Sequence, residues 1–126
     1  MKPRILIVDD NEDLRVFLGE LLGRSDYEVL EATNGDEAVQ CIQLEHPDLV
    51  ITDLSMPNKD GLEVLVNVRQ NCPGTKVILT SGTYDEDLRQ IAHRLGVFMV
   101  LFKPYRNEDM LKAVAQALPA RFFQIK

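Results

Sequence analysis

No apolar run in this chain exceeds the six residues Val97–Phe102, against the ~20 that a membrane-spanning helix needs. Near the N-terminus only Ile5–Val8 separate Arg4 from Asp9, too short for the apolar core of a secretory signal. With neither segment, the expected compartment is the cytosol, without membrane attachment. Basic residues are outnumbered, 14 against 20 acidic, for a net charge of −6. A duplex-binding surface needs a basic patch, so direct nucleic-acid binding is not expected. Cysteine and histidine are scarce: Cys41 and Cys72, His46 and His93, without metal-ligand spacing. Two reduced thiols serving as packing groups is the expectation. Repeats and low-complexity tracts are absent.

What is present suits one globular domain. The chain has 126 residues, 45% apolar and 27% charged, in the usual range of domain size and composition. Short apolar runs alternate with segments of helical spacing. The runs are Arg4–Val8, Leu49–Thr52, Lys76–Leu79 and Val97–Phe102, with Tyr27–Ala32 a weaker member. Continuous apolar runs suit strands buried on both faces, the parallel-sheet pattern. Leu14, Phe17, Leu18, Leu21 and Leu22 fall on one helical face. So do Leu88, Ile91, Ala92 and Leu95, and again Leu111, Val114, Ala115 and Leu118,. Ala38, Val39 and Ile42, and Leu62, Leu65 and Val66, mark two shorter helices. Asn34 and Asn107 are candidate helix starts, and Gly23, Gly96 and Pro119 candidate stops,. The result is an α/β chain of five strand–helix units, (βα)5, with a parallel sheet covered on both faces. Five units suggest the doubly wound, flavodoxin-like order 2-1-3-4-5, which periodicity alone does not fix. Ligands then bind at the carboxyl ends of the strands, between strands 1 and 3.

Those ends carry polar residues. Strand 1 ends at Asp9-Asp10, strand 3 at Asp53, strand 4 at Thr80-Ser81 and strand 5 at Lys103. Three carboxylates at one edge repel each other, more so when partly buried. A divalent cation would compensate, with Lys103 as a second positive charge. Oxygen ligands without Cys or His point to Mg²⁺. Asp13 and Asp60 read instead as solvated acids at helix starts. Asp53 is the candidate nucleophile, because aspartate can form an aspartyl phosphate. It precedes the loop Ser55–Gly61, where Pro57 fixes φ and Gly61 allows positive φ,.

These residues resemble the response-regulator receiver domain of two-component signalling, CheY-like in type. The motifs are VDD at Val8–Asp10, ITDLSMPNKDG at Ile51–Gly61, TSG at Thr80–Gly82 and KP at Lys103-Pro104. The match runs from Arg4 to about Leu118, so 1–118 is expected to be the domain and 119–126 a tail or truncated linker. The resemblance implies that Asp53 is the phosphoacceptor. Asp10, Asp53 and the Ser55 carbonyl would hold Mg²⁺, with Asp9 helping through a water. Lys103 would pair with the phosphoryl group and Ser81 would hydrogen-bond it, and the Lys103–Pro104 bond would be cis. Gly82 would let the backbone approach closely. The donor would be a phosphohistidine on a sensor kinase or phosphotransfer protein. An effector, or a second copy in a homodimer, would meet the face of the fourth helix, fifth strand and fifth helix. Such a domain catalyses its own phosphorylation and slow hydrolysis but is mainly a switch. A receiver segment of a hybrid kinase fits as well, as does a receiver-like binding module that is never phosphorylated.

Three positions depart from the family pattern. Val100 stands where a Tyr or Phe is usual, Gly82 where Ala is frequent, and Lys59 where an apolar residue is frequent. Strand alternation puts Phe98, Val100 and Phe102 on one side of strand 5. Either the aromatic part of the switch is missing, or Phe98 or Phe102 supplies it. Two rival classes fare worse. A flavin carrier needs a Ser/Thr/Gly-rich loop after strand 1, where this chain has Asp-Asp-Asn-Glu-Asp. A haloacid-dehalogenase phosphatase needs Asp-x-Asp, and positions 9 and 11 are Asp and Asn.

Overall fold

A computed structural model describes residues 2–56 and 59–118. The expectations for Pro57, Pro119 and the 119–126 segment lie outside the described residues. The order is β1 (Arg4–Val8), α1 (Glu12–Gly23), β2 (Glu28–Ala32), α2 (Gly35–Glu45), β3 (Leu49–Asp53), α3 (Gly61–Asn71), β4 (Lys76–Ser81), α4 (Glu86–Arg94), β5 (Met99–Phe102) and α5 (Asn107–Ala117). The strands form one parallel sheet in the order β2-β1-β3-β4-β5. This is the flavodoxin-like arrangement.

Alternation along each strand divides the core in two. Leu6, Val8, Val50, Val77 and Leu79 face α2, α3 and α4. Ile5, Ile7, Leu49, Ile51 and Ile78 face α1 and α5. The central strands are apolar throughout because both of their faces are covered. β2 is an edge strand and is less buried. Its glutamates have partners instead, Glu28 with Arg4 and Glu31 with Arg15.

Local signals explain most element boundaries. Asn11, Asn34, Asp60 and Asp85 each accept a backbone N–H at the start of a helix,. Asp60 and Glu63 form a reciprocal capping box,. At α5 the start differs from expectation. Arg106, not Asn107, is the capping residue, and Asp109 Oδ2 accepts its N–H at 3.1 Å. Gly96 ends α4 with φ +92°, as expected of a left-handed stop. Gly23 does not act this way. It is the last helical residue, and the left-handed turn falls on Asp26 at φ 74°.

Three large apolar residues expected in the core are exposed, Leu14 (41%), Phe17 (47%) and Ile91 (43%), as is the small Ala115 of α5. Leu18 and Leu22, further along α1, are buried over the sheet. Leu14 and Phe17, nearer the start of α1, line a groove with Pro104 and Tyr105. On α4 only Ala92 is fully covered. Phe98 also departs from the alternation. β5 begins at Met99, so Phe98 is outside the pleat and packs with Met99 and Leu101 on the α1/α5 side. Val100 and Phe102 face the other side. The Lys76 ammonium lies 5.5 Å from the Phe98 ring centroid.

Cys41 and Cys72 are free, half-buried thiols packed against the core. His46 ends α2 at φ 49°, with Nδ1 3.8 Å from Cys72 Sγ. Among the described residues, no helix is long and apolar enough to cross a membrane.

Candidate functional site

The sheet register assembles the site. Val8 pairs with Thr52, which puts Asp9 level with Asp53 on the neighbouring strand. Asp53 pairs with Thr80, and Ser81 with Phe102, the residue before Lys103. Four strand ends thus deliver Asp9, Asp10, Asp53, Ser81 and Lys103 to one edge. One carboxylate oxygen from each of Asp9, Asp10 and Asp53 lies within 4.8 Å of the others. The Lys103 ammonium is 3.1 Å from Asp53 Oδ1 and 3.9 Å from Asp9 Oδ2. The Lys103–Pro104 peptide bond is cis. A cleft of about 410 Å³ opens here, lined by Asp53, Ser55, Ser81, Gly82, Thr83 and Lys103 among others.

The donor set fits Mg²⁺. An octahedral ion with ligands at about 2.0–2.1 Å needs neighbouring oxygens about 2.9 Å apart, within reach of three carboxylates already this close. Asp9 is buried, Asp53 half-buried and Asp10 exposed, and one ammonium faces the three carboxylates. Asp9 shows the cost. Its carboxyl is held above the ordinary range, chiefly by burial and further by Asp53 and Asp10, against the Asn11 N–H and Lys103.

A raised folded pKa means that the folded chain holds a proton the unfolded chain has lost. Stability then falls as pH rises from the ordinary carboxylate pKa through the raised folded value. The penalty is absent below that window and complete above it. Asp9→Asn should therefore stabilise the metal-free chain at pH 7, by about 1 kcal/mol, the scale of gains from relieving unfavourable charge. Urea unfolding with chelator present measures this, and a midpoint below that of the wild type would contradict it.

Two contacts at the site were not legible in the sequence. The buried Thr80 hydroxyl donates to Asp53 Oδ1 at 3.2 Å. Arg15, on α1, donates to the Asp9 carbonyl at 2.8 Å. Both contacts depend on strand register and helix packing. The motif TSG marks Thr80 only as part of a strand end.

Ser81 holds its hydroxyl in a local turn, donating to the Thr83 carbonyl at 3.0 Å and accepting the Thr83 N–H at 3.2 Å. One residue on, the Tyr84 ring lies 4.8 Å from the Phe102 ring, centroid to centroid. Lys59 pairs with Asp36 in the first turn of α2 at 3.6 Å, which gives this departure from the family pattern a partner. Two glycine expectations are corrected. A Cβ on Gly82 would meet nothing within 4 Å, so no close approach needs that glycine. Gly61 has no positive φ. Its Cβ would stand 2.6 Å from the Asp53 carbonyl oxygen and 2.9 Å from Leu54 Cα. Contact, not conformation, excludes a side chain there.

The chain belongs to the response regulator receiver domain family, whose profile matches residues 5–115. It is 31% identical over 121 residues to sporulation initiation phosphotransferase F of Bacillus subtilis, covering 96% of this chain and 98% of that one. It is 35% identical over 115 residues to the chemotaxis protein CheY of Listeria monocytogenes, covering 90% and 97%. Among solved structures, the signal receiver domain of a putative LuxO repressor protein from Vibrio parahaemolyticus superposes with TM-score 0.90 at 28% identity, over 98% and 94% of the two chains. The signal receiver domain of an HD domain-containing protein from Pseudomonas fluorescens superposes with TM-score 0.89 at 31% identity, over 98% and 100%. The chain is thus a phosphoacceptor receiver domain of two-component signalling. Phosphorylation, Mg²⁺ use and interaction with histidine kinases or phosphotransfer proteins and effectors are general to its family.

Proposed function

We propose that Asp53 takes the phosphoryl group from a partner's phosphohistidine, with Mg²⁺ held by Asp10, Asp53 and the Ser55 carbonyl, and by Asp9 through a water. The carrying observation is the convergence of three carboxylates with the Lys103 ammonium 3.1 Å from Asp53 Oδ1. An Asp53 oxygen attacks phosphorus as the P–N bond breaks, and the leaving imidazole keeps the electron pair. The charge spread over the equatorial oxygens needs positioned cations and donors. Bound Mg²⁺ supplies one such charge. Lys103 supplies another, and the Ser81 hydroxyl supplies a hydrogen bond. Leu14 and Phe17, exposed beside Lys103, support docking of the donor on the groove they form with Pro104 and Tyr105. The test is labelling of Asp53 by a small phosphodonor with Mg²⁺ and with chelator. Labelling unchanged by chelator would overturn the metal assignment.

The output step starts at Ser81. Its proton is given to the Thr83 carbonyl, so donation to a phosphoryl oxygen releases the Thr83–Tyr84 segment and loosens the Tyr84–Phe102 ring contact. Val100 has no ring to swing, and its branched side chain is stiff at χ1. Activation is therefore expected to move residues 82–87 more than any β5 ring. A shift from about 1:99 to 99:1 needs roughly 5.5 kcal/mol of differential stabilisation. With Ser81 and Lys103 as the evident sources, a partial shift is expected. Amide shifts of the apo and beryllofluoride-bound forms measure it. Changes confined to Phe98 or Phe102, with the 82–87 loop still, would refute this view.

A further inference from the structure

We infer that Arg15 is a positioning residue for the metal site, a clamp that sets the direction in which Asp10 is presented. The inference rests on the reading of Asp10 and Asp53 as Mg²⁺ ligands and assigns a role to a residue outside the acidic cluster. Arg15 lies in the first half of α1, yet its side chain is only 12% exposed. Its guanidinium makes two directed contacts. Nη1 donates to the Asp9 carbonyl at 2.8 Å, and Nε donates to Glu31 Oε1 of β2 at 2.9 Å.

The Asp9 carbonyl shares a rigid plane with the Asp10 N–H, because the peptide bond between them does not rotate freely. Gripping that oxygen fixes the plane from which Asp10 departs. Asp9 itself is tied down at other points. Its N–H donates to the Ala32 carbonyl at 3.2 Å, and its Oδ1 accepts from the Asn11 N–H at 2.9 Å. Asp10 has no such support. It is exposed, and among the described residues no hydrogen bond or ion pair holds its carboxylate. Its aim depends on the backbone: Arg15 holds the peptide plane before Asp10, and the Asp9 carboxylate, through the Asn11 N–H, holds the plane after it. Glu31 sets the fork in turn, because a planar guanidinium with one edge fixed has little freedom in the other.

Electrostatics gives the inference a decisive sign. Arg15 is a cation close to a cation site, so charge alone says that removing it strengthens Mg²⁺ binding. Positioning says the opposite. The experiment is a Mg²⁺ titration of the whole chain at constant ionic strength, followed by amide shifts, for the wild type, Arg15→Met, Arg15→Lys and Asp10→Asn. Arg15→Met keeps an apolar stem and is expected to bind Mg²⁺ about tenfold more weakly, the lower end of what loss of a ligand-orienting contact costs. Arg15→Lys keeps the charge and one donor and should fall between the two. Equal or tighter binding by Arg15→Met overturns the inference. If Arg15→Met fails to fold, Arg15→Lys decides alone, and wild-type affinity there overturns it. Asp10→Asn separates the two readings. Unchanged affinity in that variant refutes the site itself, whereas weakened affinity there with wild-type affinity in the Arg15 variants refutes only the clamp.

Discussion

Asp53→Asn is expected to accept no phosphate at this site: labelling by a small phosphodonor should fall by on the order of a thousandfold or more, as when other covalent nucleophiles are removed. The substitution keeps shape and volume and removes one charge. An amide oxygen is a poor nucleophile, and the variant also loses one of the three carboxylates that gather within 4.8 Å. The same change should make the metal-free fold no less stable, because one of three crowded negative charges is gone. Its cost is the ion pair with Lys103 at 3.1 Å. Lost labelling with intact folding therefore separates a chemical role from a structural one. Phosphorylation at the wild-type rate in this variant would mean that another residue is the acceptor.

Gly61→Ala should be damaging for a different reason. The added methyl would lie 2.6 Å from the Asp53 carbonyl oxygen, 2.9 Å from Leu54 Cα and 2.8 Å from Leu79 Cδ2. Two of those atoms belong to the backbone that carries Asp53. The Gly61 N–H also donates to the Leu54 carbonyl at 2.8 Å, so α3 cannot simply back away. Overpacking of this kind costs about 1–3 kcal/mol. Displacing Asp53 by about 1 Å can cost ~100-fold in rate. Urea unfolding and phosphodonor labelling report the two effects. The paired control is Gly82→Ala, where nothing lies within 4 Å of the new Cβ and stability should hardly change. Wild-type stability and labelling in Gly61→Ala would show that the α3 start yields without disturbing the strand end.

How far the site could be read in advance depended on where each signal resides. Asp9, Asp10, Asp53, Ser81 and Lys103 stand out because charged or hydroxyl groups at the ends of apolar runs need a reason to be there. The rule that parallel strands end on one edge then brings them together. Thr80 carries the same mark, but its bond to Asp53 does not show in it, and Arg15 carries no mark at all. Thr80 reaches Asp53 across 27 positions and Arg15 reaches Glu31 across 16, and each contact exists only once register and packing are set. Phe98 departs from the alternation because the strand starts only at Met99.

The sequence by itself determined the five strand–helix units, the parallel sheet and the acidic edge with its lysine. These follow from periodicity, from burial on both faces and from short-range capping, all local properties of the chain. Only the tertiary structure decided which apolar side chains stay uncovered, as at Leu14, Phe17 and Ile91. It alone decided that Gly61 is required by contact with Asp53 rather than by its φ, that the Ser81 hydroxyl is turned toward Thr83, and that Arg15 grips Asp9. The reason is physical. Periodicity says which face of an element is apolar, but whether that face is covered, and which atoms come within 3 Å of one another, depends on elements brought together from elsewhere in the chain.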